Sequence, residues 1–140
     1  MIWAVCDDLD VSYADSFVLY QSEFFEPDFP EENERFRNVR RVPSVEGDRA
    51  SSLLRLREQM LDHPDLNAGV FIGGMPGVED EYWMLRESRP EVRRFVISST
   101  GGAAARLGDM EQDQSSVEMG IDYASFFRHA FGRSTDSRGL

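Results

Sequence analysis

The stretch Ala68-Gly-Val-Phe-Ile-Gly-Gly-Met-Pro-Gly77 decides the fold of this chain. Its first half, residues 68–72, is an unbroken apolar run, which is typical of a strand buried on both faces of a parallel sheet. Glycines then break the strand, and Val78–Arg89 is predicted as a helix with acidic residues in its first turn, where they favour the positive end of the helix dipole. A strand, a first glycine turn (Gly73–Gly77) and a helix therefore follow one another.

The same order occurs a second time. Arg94–Ser98 has the profile of another buried strand, Ser99–Gly102 forms a second glycine turn, and a short alanine-rich helix runs through Leu107. The carboxyl ends of neighbouring parallel strands meet at one edge of a sheet, and ligands bind there. Glycine allows positive φ and a close approach of ligand to backbone, and the helix that follows offers N–H groups to an anion. The two turns together predict a binding crevice.

The first half of the chain supplies further elements. Phe17–Gln21 and Asn38–Val42 are predicted strands, and the Glu- and Pro-rich segment Glu23–Glu34 between them is predicted as a solvated loop. Asp48 is positioned to cap a helix over residues 51–61, which His63-Pro64 stops. The apolar residues of this helix lie on one stripe at helical spacing: Leu53, Leu54, Leu56, Met60 and Leu61.

The C-terminal part contains a predicted polar loop at Asp109–Gly120 and a final helix at Tyr123–Phe131. Alternating strands and helices in a chain of 140 residues predict one α/β domain. We expect a Rossmann-like three-layer domain with a mostly parallel sheet over residues 1–132, followed by a flexible tail over 133–140.

The charge balance bears on the class of partner. With 26 acidic and 15 basic residues, the net charge of −11 repels phosphate backbones and anionic membranes at long range, so neither nucleic acid nor a membrane is an expected partner. Every basic residue other than histidine is arginine, whose planar fork suits phosphate oxygens. The negative net charge of the chain therefore does not exclude a local arginine-containing pocket for a small phosphate.

Cysteine use and the N-terminal residues predict a compartment. Cys6 is the single cysteine, so no intramolecular disulfide can form, and Asp7 and Asp8 interrupt any signal-like apolar run. No stretch approaches the roughly 20 apolar residues of a membrane span. We expect a cytoplasmic protein.

The residue patterns of common hydrolases and metalloenzymes are missing from the sequence. There is no Gly-x-Ser-x-Gly elbow and no zinc-type set of cysteine and histidine. Asp7, Asp8 and Asp10 lack the glycine and the terminal glutamate of a calcium loop, so a solvated turn is the simpler interpretation. Neither a metal nor a cofactor is expected.

The two turns carry a resemblance to a known family. Val70-Phe-Ile-Gly-Gly-Met-Pro-Gly-Val-Glu-Asp-Glu81 and Ser98-Ser-Thr-Gly-Gly-Ala-Ala104 resemble the SLOG superfamily, the Rossmann-type group related to the LOG phosphoribohydrolases. The likeness is most specific over residues 48–107 and is greatest to bacterial SLOG domains of conflict or nucleotide-signalling systems. The resemblance implies that both turns line a pocket for nucleotide-derived ligands such as ADP-ribose relatives.

The chain departs from the LOG pattern in several places. Pro76 lengthens the turn, Val78 stands where LOG enzymes have a phosphate-binding threonine, and Arg57 is the nearest candidate for the arginine of the preceding helix. A first glycine-rich phosphate loop is not evident between Met1 and Asp15, which predicts a first half-site that is lost or rebuilt. Gly77 and Glu81 nevertheless keep the glycine-to-glutamate spacing of the family.

Three functions remain open from the sequence. The first is a module that binds or senses a nucleotide-derived molecule, and the second is a LOG-like enzyme in which Glu81 assists cleavage of an N-glycosidic bond. The third is an interaction protein, a shortened domain that dimerises through its sheet edge and the Phe-rich helix containing Phe127. We expect the protein to form a homodimer or a higher homo-oligomer. The candidate ligand-binding residues are Arg57, Gly73, Gly74, Met75, Gly77, Glu81, Ser99, Thr100, Gly101 and Gly102.

Overall fold

The structure is a computed structural model, and it describes residues 17–110. Contacts divide the chain into two compact units, Met1–Leu66 and Asn67–Leu140.

In the first unit, two short strands pair in parallel. Strand β1 spans Val18–Ser22 and strand β2 spans Asn38–Val42, with Val18 opposite Asn38 and Ser22 opposite Val42. Both predicted strands are confirmed, β1 with its bounds shifted by one residue. Parallel strands need a crossover connection, and residues 23–37 make it.

That connection contains more regular structure than the sequence indicated. The predicted loop is instead largely wound into two 3₁₀ helices, Glu23–Asp28 and Glu31–Arg35. The side chain of Ser22 caps the first helix by accepting a hydrogen bond from the Phe24 N–H at 3.4 Å. Pro27 lies inside the first 3₁₀ helix, where its ring fixes φ near the helical value, and Pro30 directly precedes the second. Prolines at these positions favour short 3₁₀ turns over one longer helix.

Helix α1 spans Arg49–Leu61 and begins where its capping residue predicts. Asp48 Oδ2 accepts a hydrogen bond from the Ser51 N–H at 2.8 Å, which satisfies one of the free donors of the first turn. The predicted apolar stripe is only partly covered, because Leu61 is buried while Leu54 is 47% exposed.

The second unit contains the two repeated modules. Strand β3 spans Ala68–Ile72 and helix α2 spans Pro76–Ser88, while strand β4 spans Arg93–Ile97 and helix α3 spans Gly102–Met110. Strands β3 and β4 pair in parallel, with Ala68 opposite Arg93 and Ile72 opposite Ile97. A single 3₁₀ turn, Ser98–Thr100, joins β4 to α3.

The core of this unit lies between the strands and the two helices. Its buried residues include Phe71 and Val96 from the strands, Tyr82 and Leu85 from α2, and Leu107 from α3. The rings of Phe71 and Tyr82 meet edge to face, with centroids 5.1 Å apart. Each large apolar side chain removed from water in this way contributes about 1.5–3 kcal/mol before chain entropy is counted.

One expectation about burial was wrong. The apolar run of β3 predicted burial on both faces, yet Ile72 is 55% exposed while its neighbour Phe71 is 7% exposed. Successive side chains of a strand point to opposite faces, so the two faces at this end of β3 have different surroundings.

The α/β class and the parallel pairing of strands are confirmed. The described strands lie in two sheets of two strands each, β1 with β2 and β3 with β4. The predicted C-terminal helix with Phe127, the tail and the first 16 residues, which include Cys6, lie outside the described residues. So does the predicted loop Asp109–Gly120 apart from its first two residues, which belong to α3. Within residues 17–110, no helix is both long and apolar enough to cross a membrane.

Candidate functional site

The first glycine turn connects β3 to α2 through two residues with left-handed backbone. Gly73 has φ +53° and Gly74 has φ +85°, conformations that cost a side-chain-bearing residue about 1–2 kcal/mol. Helix α2 then begins at Pro76, whose fixed φ and missing N–H suit the first helical position. The N-terminus of this helix has no side-chain cap, and Met75 at the capping position is 80% exposed.

The second glycine turn follows β4 and has the same character. Gly101 has φ +77° and Gly102 has φ +60°, and helix α3 starts at Gly102 without an intervening loop. Its first turn places Ala103 and Ala104 in fully buried positions. Small side chains at these positions let the backbone of the second turn approach the first.

The two turns are joined directly by hydrogen bonds. The Gly73 N–H donates to Thr100 Oγ1 at 2.7 Å, while Ala103 and Ala104 donate their N–H groups to the carbonyl oxygens of Gly74 and Gly73, at 3.0 and 2.9 Å. A Cβ on Gly102 would lie 2.5 Å from the Gly74 carbonyl oxygen. Only glycine at position 102 therefore permits this contact, which we call the glycine-turn junction.

The junction changes which amides can meet a ligand. The first-turn donors of α3 at Ala103 and Ala104 are already used, and the Gly101 N–H donates to the Ser98 carbonyl oxygen at 3.1 Å. Among the residues at the two turns, the N–H groups of Gly74, Met75 and Gly77 have no acceptor, and neither does that of Gly102 in the second turn. Most of the free amides thus belong to the first glycine turn and to the start of α2.

Thr100 acts on the backbone through its hydroxyl group. Its Oγ1 donates to the carbonyl oxygen of Ile97 at 2.5 Å and accepts from the Gly73 N–H, and the side chain is half-buried. The single hydroxyl hydrogen is therefore already committed. Thr100 was predicted to contact ligand, and the structure gives it a role in holding the two turns together.

Glu81 lies farther along α2 than predicted. Helix α2 begins at Pro76, two residues before the predicted start, so the acidic residue of its first turn is Glu79 and Glu81 lies in the second turn. The missed signal was Pro76 itself, because proline is favoured at the first position of a helix. Residues 77 and 81 are four apart, so Gly77 and the half-buried Glu81 share one face of α2.

Val78 closes the inner side of the first turn. A Cβ on Gly74 would lie 2.4 Å from Val78 Cγ2, so this valine methyl group packs directly against the glycine backbone. LOG enzymes have a hydroxyl group at the corresponding position, and here the surface is apolar. A phosphate at the first turn would therefore be held without help from this side chain.

Two further predicted residues are Ser99 and Arg57. Ser99 is exposed in the 3₁₀ turn after β4, whereas Arg57 is half-buried on α1 in the other unit. The role of Arg57 at the site stays a prediction.

The sequence analysis missed an ion pair beside the junction. Arg106 on α3 donates from Nε to Glu79 Oε1 at 2.7 Å, and its Nη2 contacts the same oxygen. The pair connects the helix after the first turn to the helix after the second. Residue 106 lies four positions after Gly102, so the two residues share one face of α3. This spacing is a signal from which the sequence could have predicted Arg106 beside the junction.

The chemistry of the site is that of binding through backbone groups. Within residues 17–110, no group of three or more histidine, cysteine, aspartate or glutamate side chains is arranged to hold a metal ion. The polar groups that converge at the turns are amides, one threonine hydroxyl and the Glu79–Arg106 pair. Such a set can hold and orient an anionic or hydroxyl-bearing molecule.

Comparison with known proteins defines the family. Neither the curated proteins nor the solved structures give a match to this chain. The family model described as the SLOG cluster3 family matches residues 1–131, which includes the first unit, most of the second unit and both glycine turns. The glycine pattern and the parallel β-turn-α modules agree with that match, and the chain belongs to the SLOG cluster3 family.

Proposed function

We propose that the protein binds a nucleotide-derived small molecule, an ADP-ribose-like compound or a nucleoside phosphate, at the first glycine turn. The observation that carries the proposal is the glycine-turn junction. It places two turns side by side at the carboxyl ends of β3 and β4, where parallel α/β folds bind ligands. Membership of the SLOG family supports a nucleotide-related ligand.

More amides without an acceptor lie at the first turn and the start of α2 than at the second turn, which favours binding through the first turn. The amides of Gly74, Met75 and Gly77 have no acceptor among the described residues, and they precede or open α2, whose dipole favours negative charge at this end. The first turn of α3 holds this backbone in place, because the amides of Ala103 and Ala104 donate to the carbonyl oxygens of Gly74 and Gly73. A rigid backbone loses little entropy when a ligand binds.

The test is a titration of the purified full chain, by calorimetry and thermal shift, with ADP-ribose, its cyclic forms, AMP and NAD. We expect heat and a raised unfolding temperature with at least one of them. Absence of both signals with all of these compounds would contradict the proposal.

A matched pair of glycine variants locates the site. Gly74→Ala places a methyl group 2.4 Å from Val78 Cγ2 at φ +85°, so it distorts the first turn. Gly47→Ala imposes a similar backbone strain at φ +73°, with no atom within 4 Å and in the other unit. We expect Gly74→Ala to weaken binding about tenfold or more, because one charge-assisted hydrogen bond to the ligand is lost. We expect Gly47→Ala to bind the ligand normally.

A further inference from the structure

The rim beside the first glycine turn is acidic, which creates a problem for an anionic ligand. Glu79, Asp80 and Glu81 are consecutive on α2, immediately after the turn that offers the free amides. Their field opposes the approach of a phosphate, and the net charge of −11 adds to it. A cation at this rim would offset that repulsion.

One arginine of the described second unit has its contact at this end. In residues 67–110 the other arginines lie toward the opposite end, near the last turn of α2 or the start of β4. They are Arg86 over the Trp83 ring, Arg89 paired with Glu91, Arg93 over the Phe95 ring, and Arg94 bonded to the carbonyls of Pro90 and Val92. Arg106 alone among these five bonds to a first-turn side chain of α2.

The geometry of the ion pair leaves Arg106 able to bind a second anion. Glu79 Oε1 accepts a hydrogen bond from Nε and also contacts Nη2, along one side of the guanidinium group. A guanidinium group has five N–H donors, so Nη1 and the outer N–H of Nη2 remain for another acceptor. The Arg106 side chain is 48% exposed, whereas that of Glu79 is 22% exposed. The arginine is therefore the more solvent-accessible member of the pair.

The side chain of Arg106 also leans in the required direction. Helical side chains tilt toward the N-terminus of their helix and cover the preceding turn. For Arg106 that turn begins at Gly102, which contacts the backbone of Gly74. This tilt agrees with the contact of Arg106 to Glu79 in the first turn of α2, the turn that follows the first glycine turn.

We propose that Arg106 recognises the phosphate of the ligand and that Glu79 positions its guanidinium group. This inference rests on the proposed function, and it assigns recognition of the ligand's phosphate to one named side chain. The Glu79 carboxylate holds the Arg106 guanidinium group in one orientation before the ligand binds. Its negative charge also reduces the attraction between this site and a phosphate.

Two variants that both break the pair separate this role from a merely structural one. Arg106→Gln removes the cation, whereas Glu79→Gln keeps the cation and removes the competing charge. Calorimetry with ADP-ribose and AMP should show affinity about tenfold or more weaker for Arg106→Gln, because a hydrogen bond to a charged group is lost. Glu79→Gln should weaken binding clearly less than Arg106→Gln, because the cation stays and the glutamine amide oxygen can still accept the hydrogen bond from Arg106 Nε.

Controls and a second readout complete the test. Arg86→Gln, at the far end of α2, should bind normally, and Arg106→Lys should recover part of the affinity because it restores the charge. The salt dependence of ADP-ribose binding should become shallower in Arg106→Gln.

Equal weakening by Arg106→Gln and Glu79→Gln would show a structural clamp and overturn the inference. Unchanged binding by Arg106→Gln would overturn it as well and leave the proposed function standing. A wild-type protein that binds none of these nucleotides would overturn both.

Discussion

The Gly73 N–H donates to Thr100 Oγ1 at 2.7 Å, across 27 positions of sequence, and this bond joins the two glycine turns. The same hydroxyl donates to the Ile97 carbonyl oxygen, so Thr100 links the end of β4 to the end of β3. Two backbone groups at the ends of adjacent strands thereby receive partners from one side chain. The distance between the two turns is set by this hydrogen bond and by the two α3 amides that donate to the first turn.

Thr100→Val tests this link, since valine has nearly the shape of threonine but no hydroxyl group. The Gly73 N–H would lose its acceptor, and we expect the free energy of unfolding to fall by about 1–3 kcal/mol. Denaturant unfolding followed by circular dichroism measures the change. Binding of any nucleotide ligand should weaken in parallel, because the first turn loses its fixed position.

Thr100→Ser is the matched control, because it keeps the hydroxyl group and removes only a methyl group. It should retain most of the stability and the binding. Equal losses in the valine and serine variants would show that the methyl contact, not the hydrogen bond, carries the effect.

Gly102→Ala and Gly73→Ala compare two glycines of similar backbone conformation, at φ +60° and +53°. At Gly73 the nearest atom to an added Cβ is the Thr100 carbonyl oxygen at 3.6 Å, so alanine imposes mainly backbone strain of about 1–2 kcal/mol. At Gly102 the added Cβ lies 2.5 Å from the Gly74 carbonyl oxygen, and the turns must separate. We expect a further loss of about 1–3 kcal/mol, typical of overpacking.

The measurement is the unfolding free energy of both variants under identical conditions. A loss at Gly102 no larger than that at Gly73 would mean that the junction opens without cost. In that case the close contact of the two turns could not be the source of their fixed geometry.

The N-cap of α1 predicts a dependence of stability on pH. Hydrogen bonds from the side chain and the backbone N–H of Ser51 lower the pKa of Asp48 below its ordinary value of 3.8. The carboxylate therefore stabilises the folded state at all pH values above 3.8, and this contribution is lost as the pH falls through the lowered folded-state pKa.

Asp48→Asn isolates that contribution, because asparagine also caps helices but does not titrate. Thermal unfolding of both proteins should show the wild type more stable near neutral pH, with the difference shrinking at acidic pH. A difference that stays constant down to pH values well below 3.8 would contradict the assigned cause.

Much of the local structure could be predicted from the residues alone. The apolar runs before Gly73 and Gly101 gave the strands, Asp48 gave the start of α1, and the glycines gave the turns, because each of these features depends on neighbours a few positions away. Adjacent placement of the turns also followed, since parallel strands bring their carboxyl ends together. The early start of α2 was present in the sequence at Pro76.

The partners of the polar groups were decided by the tertiary structure. From the sequence, the amides of Ala103 and Ala104 at the start of a helix were expected to bind an anion, yet they donate to the carbonyl oxygens of Gly74 and Gly73. Arg106 likewise pairs with Glu79, the first of three consecutive acidic residues. Hydrogen bonds and ion pairs form only between atoms a few ångströms apart. For residues 27 positions apart, that distance depends on how closely the helices pack on the strands, which hydrophobic periodicity does not encode.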